Sequence, residues 1–240
     1  MFCDVWVQTN IGLKRQVNQD SFLVNKDLGL YIVADGMGGH SGGEVASAMA
    51  VNCIQDYIKN NPELSPRELL DGAYIDANHQ IHDKAQKNPE LHGMGTTMVL
   101  GLVKGSKFYI GNVGDSRCYL FQENSLWQIT EDHSLMNEQL RAGIINDEQA
   151  KNYAHKNVIT RSVGYESSVN CDILEREIQD GDVFLFCSDG LSGMVTDKII
   201  NQQLKELAPE KWVDKLIELS LARGGSDNVT ALILHFYSKN

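Results

Sequence analysis

Apolar positions follow two rhythms along this chain. Val5, Val7 and Thr9 alternate with Trp6 and Gln8, the period of a strand with one buried face. Residues 21–25 and 30–34 read as paired strands joined by the polar turn Asn25-Lys26-Asp27 and Leu28-Gly29. The period then lengthens. Val45, Met49, Cys53, Ile54, Tyr57 and Ile58 recur at helical spacing and predict a helix starting near Gly43. Leu69, Leu70, Ala73, Ala77 and Ile81 predict a second, with Ser65 as cap and Pro66 in its first turn.

Strand-like runs follow at 96–103, 107–113 and 117–121, with a shorter one at 126–129. Lys104-Gly105-Ser106 makes the first two a hairpin. Gly114-Asp115-Ser116 separates the second from the third, and such close spacing predicts antiparallel neighbours. Apolar density falls between Asp132 and Gly164, with short helical pieces near 135–142 and 147–152. This reads as an insertion at about 133–164, a lid or an ordinary surface excursion, packed on a single domain spanning 1–240. Strands at 172–178 and 183–187 flank the turn Gln179-Asp180-Gly181-Asp182. The unbroken apolar run Val183–Cys187 predicts burial on both faces. Helices at 197–207 and after Pro209 precede a last strand, Val229–Tyr237. Four long helices come in consecutive pairs between groups of about ten strands, so segregated α+β layers are expected, not a doubly wound parallel sheet.

Composition narrows the function. The 21 basic against 32 acidic residues give a net charge of −11, which disfavours nucleic acid and anionic membrane surfaces. A phosphorylated substrate stays compatible if metal ions reverse the sign locally. The five cysteines are scattered without a CxxC pair, as reduced core residues would be. No stretch reaches membrane-spanning length, and a cytoplasmic setting is expected. His79 and His82 share a helix but have no third ligand beside them, and they read as solvated side chains.

One pattern stands out against this background. Leu30 to Gly43, LYIVADGMGGHSGG, ends an apolar run on Asp35 and continues through five glycines. Asp20 immediately precedes a strand, Asp35, Asp115 and Asp189 each follow one, and Asp227 sits just before the last. Each alone is an ordinary turn residue. If strand ends bring all five together, their repulsion requires a countercharge. All-oxygen ligands favour Mg²⁺ or Mn²⁺, or Ca²⁺ by size, over structural zinc. A pair of such ions can orient a phosphoryl group for in-line attack by water. No Ser/His/Asp or Cys nucleophile stands out.

These residues carry a resemblance. VADGMGGHSGGEVAS (33–47), preceded by RQVNQD (15–20), resembles the metal-dependent protein serine/threonine phosphatases of the PPM/PP2C family in their bacterial form. GMGTT (93–97), VGDSR (113–117), CSDGL (187–191) and GGSDNVT (224–230) match the remaining family motifs in order. The likeness implies a four-layer α-β-β-α sandwich: two central antiparallel sheets, helix pairs outside, a metal site at one sheet edge. It implies hydrolysis of phosphoserine and phosphothreonine by a water bridging two ions, Mg²⁺ or Mn²⁺, without a phosphoenzyme. Asp35 would bridge the ions, the Gly36 carbonyl would bind one, Asp189 and Asp227 would complete the shell, and Asp20 would hold metal-bound water. Asp115, with Asp189, matches a third metal position. Arg15 matches the arginine that grips substrate phosphate.

The chain departs from the family pattern at two places. Met37 stands where some relatives carry a proposed general acid, a His directly after Asp-Gly. His40, three residues on, has a suitable intrinsic pKa, and metal-bound water is the alternative donor. In the insertion, Lys156 to Arg161 matches the family's flap, yet Tyr153-Ala154 replaces a His-Pro pair found in many bacterial members. The expected partners are phosphoserine and phosphothreonine proteins, with a cognate Ser/Thr kinase pathway, and a monomer is expected. Two other readings stay open: a non-catalytic phosphoprotein-binding module, and a hydrolase of small phosphoesters on the same fold.

Overall fold

The computed structural model describes residues 1–151, 153, 155 and 158–238, with the backbone alone at 39–41, 147 and 151. The ten strands of these residues form two five-stranded antiparallel sheets. The first sheet orders β2 (Asp20–Asn25), β3 (Leu30–Met37), β4 (Gly95–Lys104), β5 (Lys107–Val113) and β8 (Asp172–Glu177). The second orders β1 (Phe2–Asn10), β10 (Val229–Tyr237), β9 (Val183–Cys187), β6 (Arg117–Gln122) and β7 (Ser125–Gln128).

Strand periodicity builds the layers. On β3, Leu30, Ile32 and Ala34 face α1 (Gly39–Asn60) and α2 (Pro66–Lys87), while Tyr31 and Val33 face the second sheet. On β9, Val183, Leu185 and Cys187 pack with α6 (Asp197–Glu206) and α7 (Trp212–Ala222), while Phe184 and Phe186 point into the middle. The result is the four-layer α-β-β-α sandwich. Between its sheets, Phe108 meets Phe184 and Phe236 edge-on, at ring-centroid distances of 4.6 and 5.7 Å. Each fully buried ring or aliphatic side chain contributes about 1.5–3 kcal/mol, so the aromatic middle layer holds the sheets in one register. A capping box starts α2: Ser65 Oγ accepts the Glu68 N–H, and the Glu68 carboxylate accepts the Ser65 N–H.

Three expectations change. First, β3 does not stop before Asp35. It continues through Gly36 and Met37, paired with β4 as far as Met37↔Gly95. Asp20, likewise, is the first paired residue of β2. Second, α1 begins at Gly39 and not near Gly43, because Gly38 at φ 121° makes the whole turn out of the strand. Third, β5 and β6 are not neighbours; β8 and β9, joined by the turn at 179–182, also lie in different sheets. Both sides of β5 are already taken by β4 and β8, so β6 crosses to the second sheet, where it pairs with β7 and β9. Gly114 at φ 105° permits that short crossover.

The segment between β7 and β8 carries α3 (Leu135–Arg141) and α4 (Asp147–Lys151). It returns along the body through bridges Ser134↔Ile159 and Thr96↔Val163. Lys156 and Asn157 of the expected flap motif, and Ala154 of the departure before it, lie outside the described residues. His79 is exposed and His82 half-buried on α2.

Candidate metal centre

The site begins with a pairing that sheet physics disfavours. Asp20 and Asp35 stand directly opposite each other on β2 and β3, and Asp35 also pairs with Thr97 of β4. Like charges directly opposite destabilise a ladder. Asp20 is buried and reaches across to the other sheet: its Oδ2 accepts the hydroxyls of Ser188 at 2.8 Å and Thr230 at 2.7 Å. Those residues flank Asp189 and Asp227, so the contacts that satisfy one oxygen of this carboxylate draw two others toward it.

Each of the other acids is fixed by its chain. Asp189 opens a single helical turn, α5 (Asp189–Ser192), directly after β9. Asp227 precedes β10. Its Oδ1 accepts the Asn228 N–H at 2.8 Å and its Oδ2 accepts Arg15 Nη2 at 2.6 Å. Asp115 lies on the crossover after β5, where Ser116 and Thr97 share a hydroxyl–hydroxyl hydrogen bond of 2.7 Å. Gly36 follows Asp35, donates its N–H to the Gln19 carbonyl at 3.1 Å, and packs so closely on α1 that a Cβ there would lie 1.9 Å from the Gly43 carbonyl oxygen. Only glycine lets strand and helix meet at this point.

Arg15, Asp35, Gly36, Asp115, Asp189 and Asp227 line one cleft of about 360 Å³, with Thr97 and Ile159 also in its wall. Asp20 lies behind it and adds its repulsion to that on Asp35. The sequence-derived set is thus brought together, apart from His40, whose side chain lies outside the described residues.

The acids are held at a cost. Burial, with repulsion from Asp189 and Asp227, pushes Asp20 up to about 7 against the help of its two hydroxyl donors. Burial, then Asp189 and Asp132, pushes Asp115 to about 7. Asp35 is raised well above the carboxylate range by burial and by the charges of Asp20, Asp189, Asp115 and Asp227. Asp189 is raised by burial and Asp227, with Asp35 and Arg15 opposing. Among the described residues, no three His, Cys, Asp or Glu side chains close tightly enough to cage an ion unaided. The donor set still fits hard divalent cations, which complete their shells with carbonyls and water. The donors are oxygen throughout, the acids repel one another, and Asp20 Oδ1 and Asp189 Oδ1 are buried without a hydrogen-bond partner.

Sequence reasoning did not single out Asn228. Its Nδ2 donates to the carbonyls of Ile11 and Val17, and its Oδ1 accepts the Gln19 N–H, so one side chain pins both ends of the loop bearing Arg15. Ser188 and Thr230 were missed in the same way. Their signal was adjacency: each polar side chain lies within three residues of a candidate acid.

A sandwich of two antiparallel sheets with an all-oxygen acidic cleft at its edge defines a class of α+β proteins built around hard divalent cations. Within that class, residues 13–231 match the family described as protein phosphatase 2C, and the chain belongs to that family. The serine/threonine phosphatase stp of Listeria welshimeri is 40% identical over 235 residues, covering 95% of this chain and 93% of that protein. The crystal structure of the Mycobacterium tuberculosis serine/threonine phosphatase PstP/Ppp superposes with a TM-score of 0.92 at 33% identity, over 98% of this chain and 99% of that one. A structure of the PstP catalytic domain in complex with two manganese ions gives a TM-score of 0.88 at 33% identity, with the same coverage.

Proposed function

We propose that this chain is a Mg²⁺/Mn²⁺-dependent phosphatase that hydrolyses phosphoserine and phosphothreonine in proteins by direct attack of water. One observation carries the reading: four acids from both sheets line a single cleft with an arginine at its mouth. The names of the relatives and the manganese ions of the PstP structure support it.

Asp35, the Gly36 carbonyl, Asp189 and Asp227 would hold two ions, Asp20 would act through water, and Asp115 with Asp189 would offer a third position. Bound there, the cations would supply the positive charge that lets these acids ionise together and would polarise the phosphoryl group. Arg15 binds the phosphate oxygens. A guanidinium carries five N–H donors, so the bond to Asp227 leaves others for the substrate. Thr97 is the only hydroxyl or thiol side chain among the described cleft-lining residues, and its Oγ1 is engaged with Ser116. With that hydroxyl engaged and the acids assigned to cations, direct attack by water is the proposed route. His40 is the side chain proposed to protonate the leaving alkoxide.

The acidic cleft shares Met37 and Ile159 with a groove of about 540 Å³ that runs on past Arg161 and Tyr165. A groove continuous with the phosphate site favours a polypeptide over a small phosphoester. We read residues 133–164 as its flap on a single catalytic domain. Among the described residues no helix is long and apolar enough to cross a membrane. We place the enzyme in the cytoplasm, as a monomer, opposite a Ser/Thr kinase.

The test is turnover of a phosphothreonine peptide with Mn²⁺ and with EDTA, beside a nucleotide and a sugar phosphate. Metal-dependent release from the peptide above both small esters is expected. Tight phosphopeptide binding without release would make the chain a binding module, and preference for a small ester would make it a different phosphohydrolase.

A further inference from the structure

His133 contributes nothing to the lining of the cleft, yet it joins two parts of the site. Its side chain is buried. Nδ1 accepts the Gly114 N–H at 3.0 Å, and Nε2 lies 3.1 Å from Asp172 Oδ2. The main chain of the same residue adds two bonds: its N–H donates to the Gly114 carbonyl at 2.9 Å, and its carbonyl accepts the Thr160 N–H at 2.8 Å. The other oxygen of Asp172 accepts Arg161 Nη1 at 2.9 Å. Gly114 is thus gripped at both its N–H and its carbonyl, one residue before Asp115. On the far side the same residue holds Thr160, next to Ile159 in the cleft wall.

The chemistry of the contacts fixes the state of the ring. A backbone N–H only donates, so Nδ1 must be bare. A neutral imidazole then carries its proton on Nε2, aimed at Asp172. Only glycine fits the turn that is gripped: Gly114 sits at φ 105°, and a Cβ on it would strike Thr97 at 2.5 Å.

We propose that His133 is a positioning residue: a neutral Nε2–H imidazole that, with its own main chain, latches the Gly114–Asp115 turn to residues 159–161, so that Asp115 and the cleft wall are set by one residue. Its effect on turnover rests on the phosphatase reading, whereas its tautomer and its grip on Gly114 do not.

Two amide substitutions separate the halves of the latch. His133→Asn places an acceptor where Nδ1 lies and removes the link to Asp172. His133→Gln reaches the Nε2 position, can donate to Asp172, and leaves the buried Gly114 N–H without its acceptor. In the metal-free wild type, ¹⁵N spectra of the ring should show the Nε2–H tautomer. Exchange of the Gly114 amide should be slow in the wild type and in His133→Asn, and faster by roughly tenfold or more in His133→Gln. In the Mn²⁺ enzyme, His133→Gln should lower kcat and raise the Mn²⁺ concentration needed for half-maximal rate. His133→Asn should mainly raise KM for a phosphopeptide. An Nδ1–H tautomer, or equal Gly114 exchange in both variants, would overturn the latch. If either variant fails to fold, the wild-type tautomer decides alone. Absence of hydrolysis by a wild type that shows the expected tautomer and slow exchange would count against the phosphatase reading and leave the latch standing.

Discussion

Arg15 Nη2 donates to Asp227 Oδ2 at 2.6 Å, closing a link across the mouth of the acidic cleft between residues 212 positions apart. With side chains 48% and 32% exposed, the pair contributes little to stability. Its significance is placement. The guanidinium is held at the cleft by an acid proposed to bind metal, so the proposed phosphate and cation sites adjoin.

Replacing Arg15 by Ala should therefore raise KM for a phosphopeptide by about ten- to a hundredfold, the worth of a charge-assisted hydrogen bond to phosphate. The value of kcat should change only a few-fold, and Mn²⁺ affinity should not fall. Steady-state kinetics at saturating Mn²⁺ read all three. A large kcat loss at unchanged KM would contradict the role given to Arg15.

Asp35→Asn removes a charge repelled by four other acids. Turnover should drop on the order of a hundredfold or more, and calorimetric Mn²⁺ binding should weaken with it. The fold should survive, with a metal-free midpoint in urea at or above that of the wild type. Wild-type turnover in this variant would discard the assignment.

The metal-free protein should lose stability as pH rises. Asp20 and Asp115 titrate near 7 in the fold, against about 3.9 in an unfolded chain. For acids raised in this way, the favourable contribution is complete below the unfolded value and disappears as pH climbs through the folded one. Asp172, lowered by His133 and Arg161 against the cost of burial, acts oppositely, and its contribution is lost only in acid. Urea midpoints in EDTA should thus fall between pH 5 and pH 8. Saturating Mn²⁺ should remove most of that slope. A flat or rising profile in EDTA would show that burial and mutual repulsion do not raise these acids as described.

Gly36→Ala forces a methyl group to within 1.9 Å of the Gly43 carbonyl unless α1 moves away from β3. The cost should be about 1–3 kcal/mol, read as a lower denaturation midpoint, together with weakened metal binding. A variant of unchanged stability would mean that the strand and helix do not meet there.

Ser65→Ala is the counterpart remote from the site. Loss of the capping box should cost about 1 kcal/mol, visible in the denaturation midpoint, while kcat and KM stay at their wild-type values.

The periods of the sequence carried the elements well, down to the cap at Ser65 and the fully buried run Val183–Cys187. They did not carry sheet membership. Three residues separate β5 from β6 and five separate β8 from β9, spacings that suit a hairpin. A strand's period shows which faces it buries and not which sheet it joins; here β4 and β8 occupy both sides of β5, and β6 pairs instead with β7 and β9. Asp35-Gly36-Met37 looked like loop because Asp and Gly are poor strand formers. Pairing with β4 on one side and Asp20 on the other overrides that preference. In the site, the acids were legible because they recur at strand boundaries. Ser188, Thr230, Asn228 and His133 were not, since each acts on a residue far away in sequence and their meaning exists only after the sheets pack.

The position of β10 also sets a timetable for the chain. It lies in the interior of the second sheet, between β1 and β9, and among the described residues it is the strand that pairs with β1. As the chain is synthesised, β1 must therefore wait for β10. At about 5–20 residues per second, the wait is roughly ten to forty-five seconds. Asp227 arrives just before β10, so the acidic cleft is also completed only then. A ribosome paused before that point would carry a protein with an unpaired N-terminal strand, a need for chaperone shelter, and no activity to misdirect.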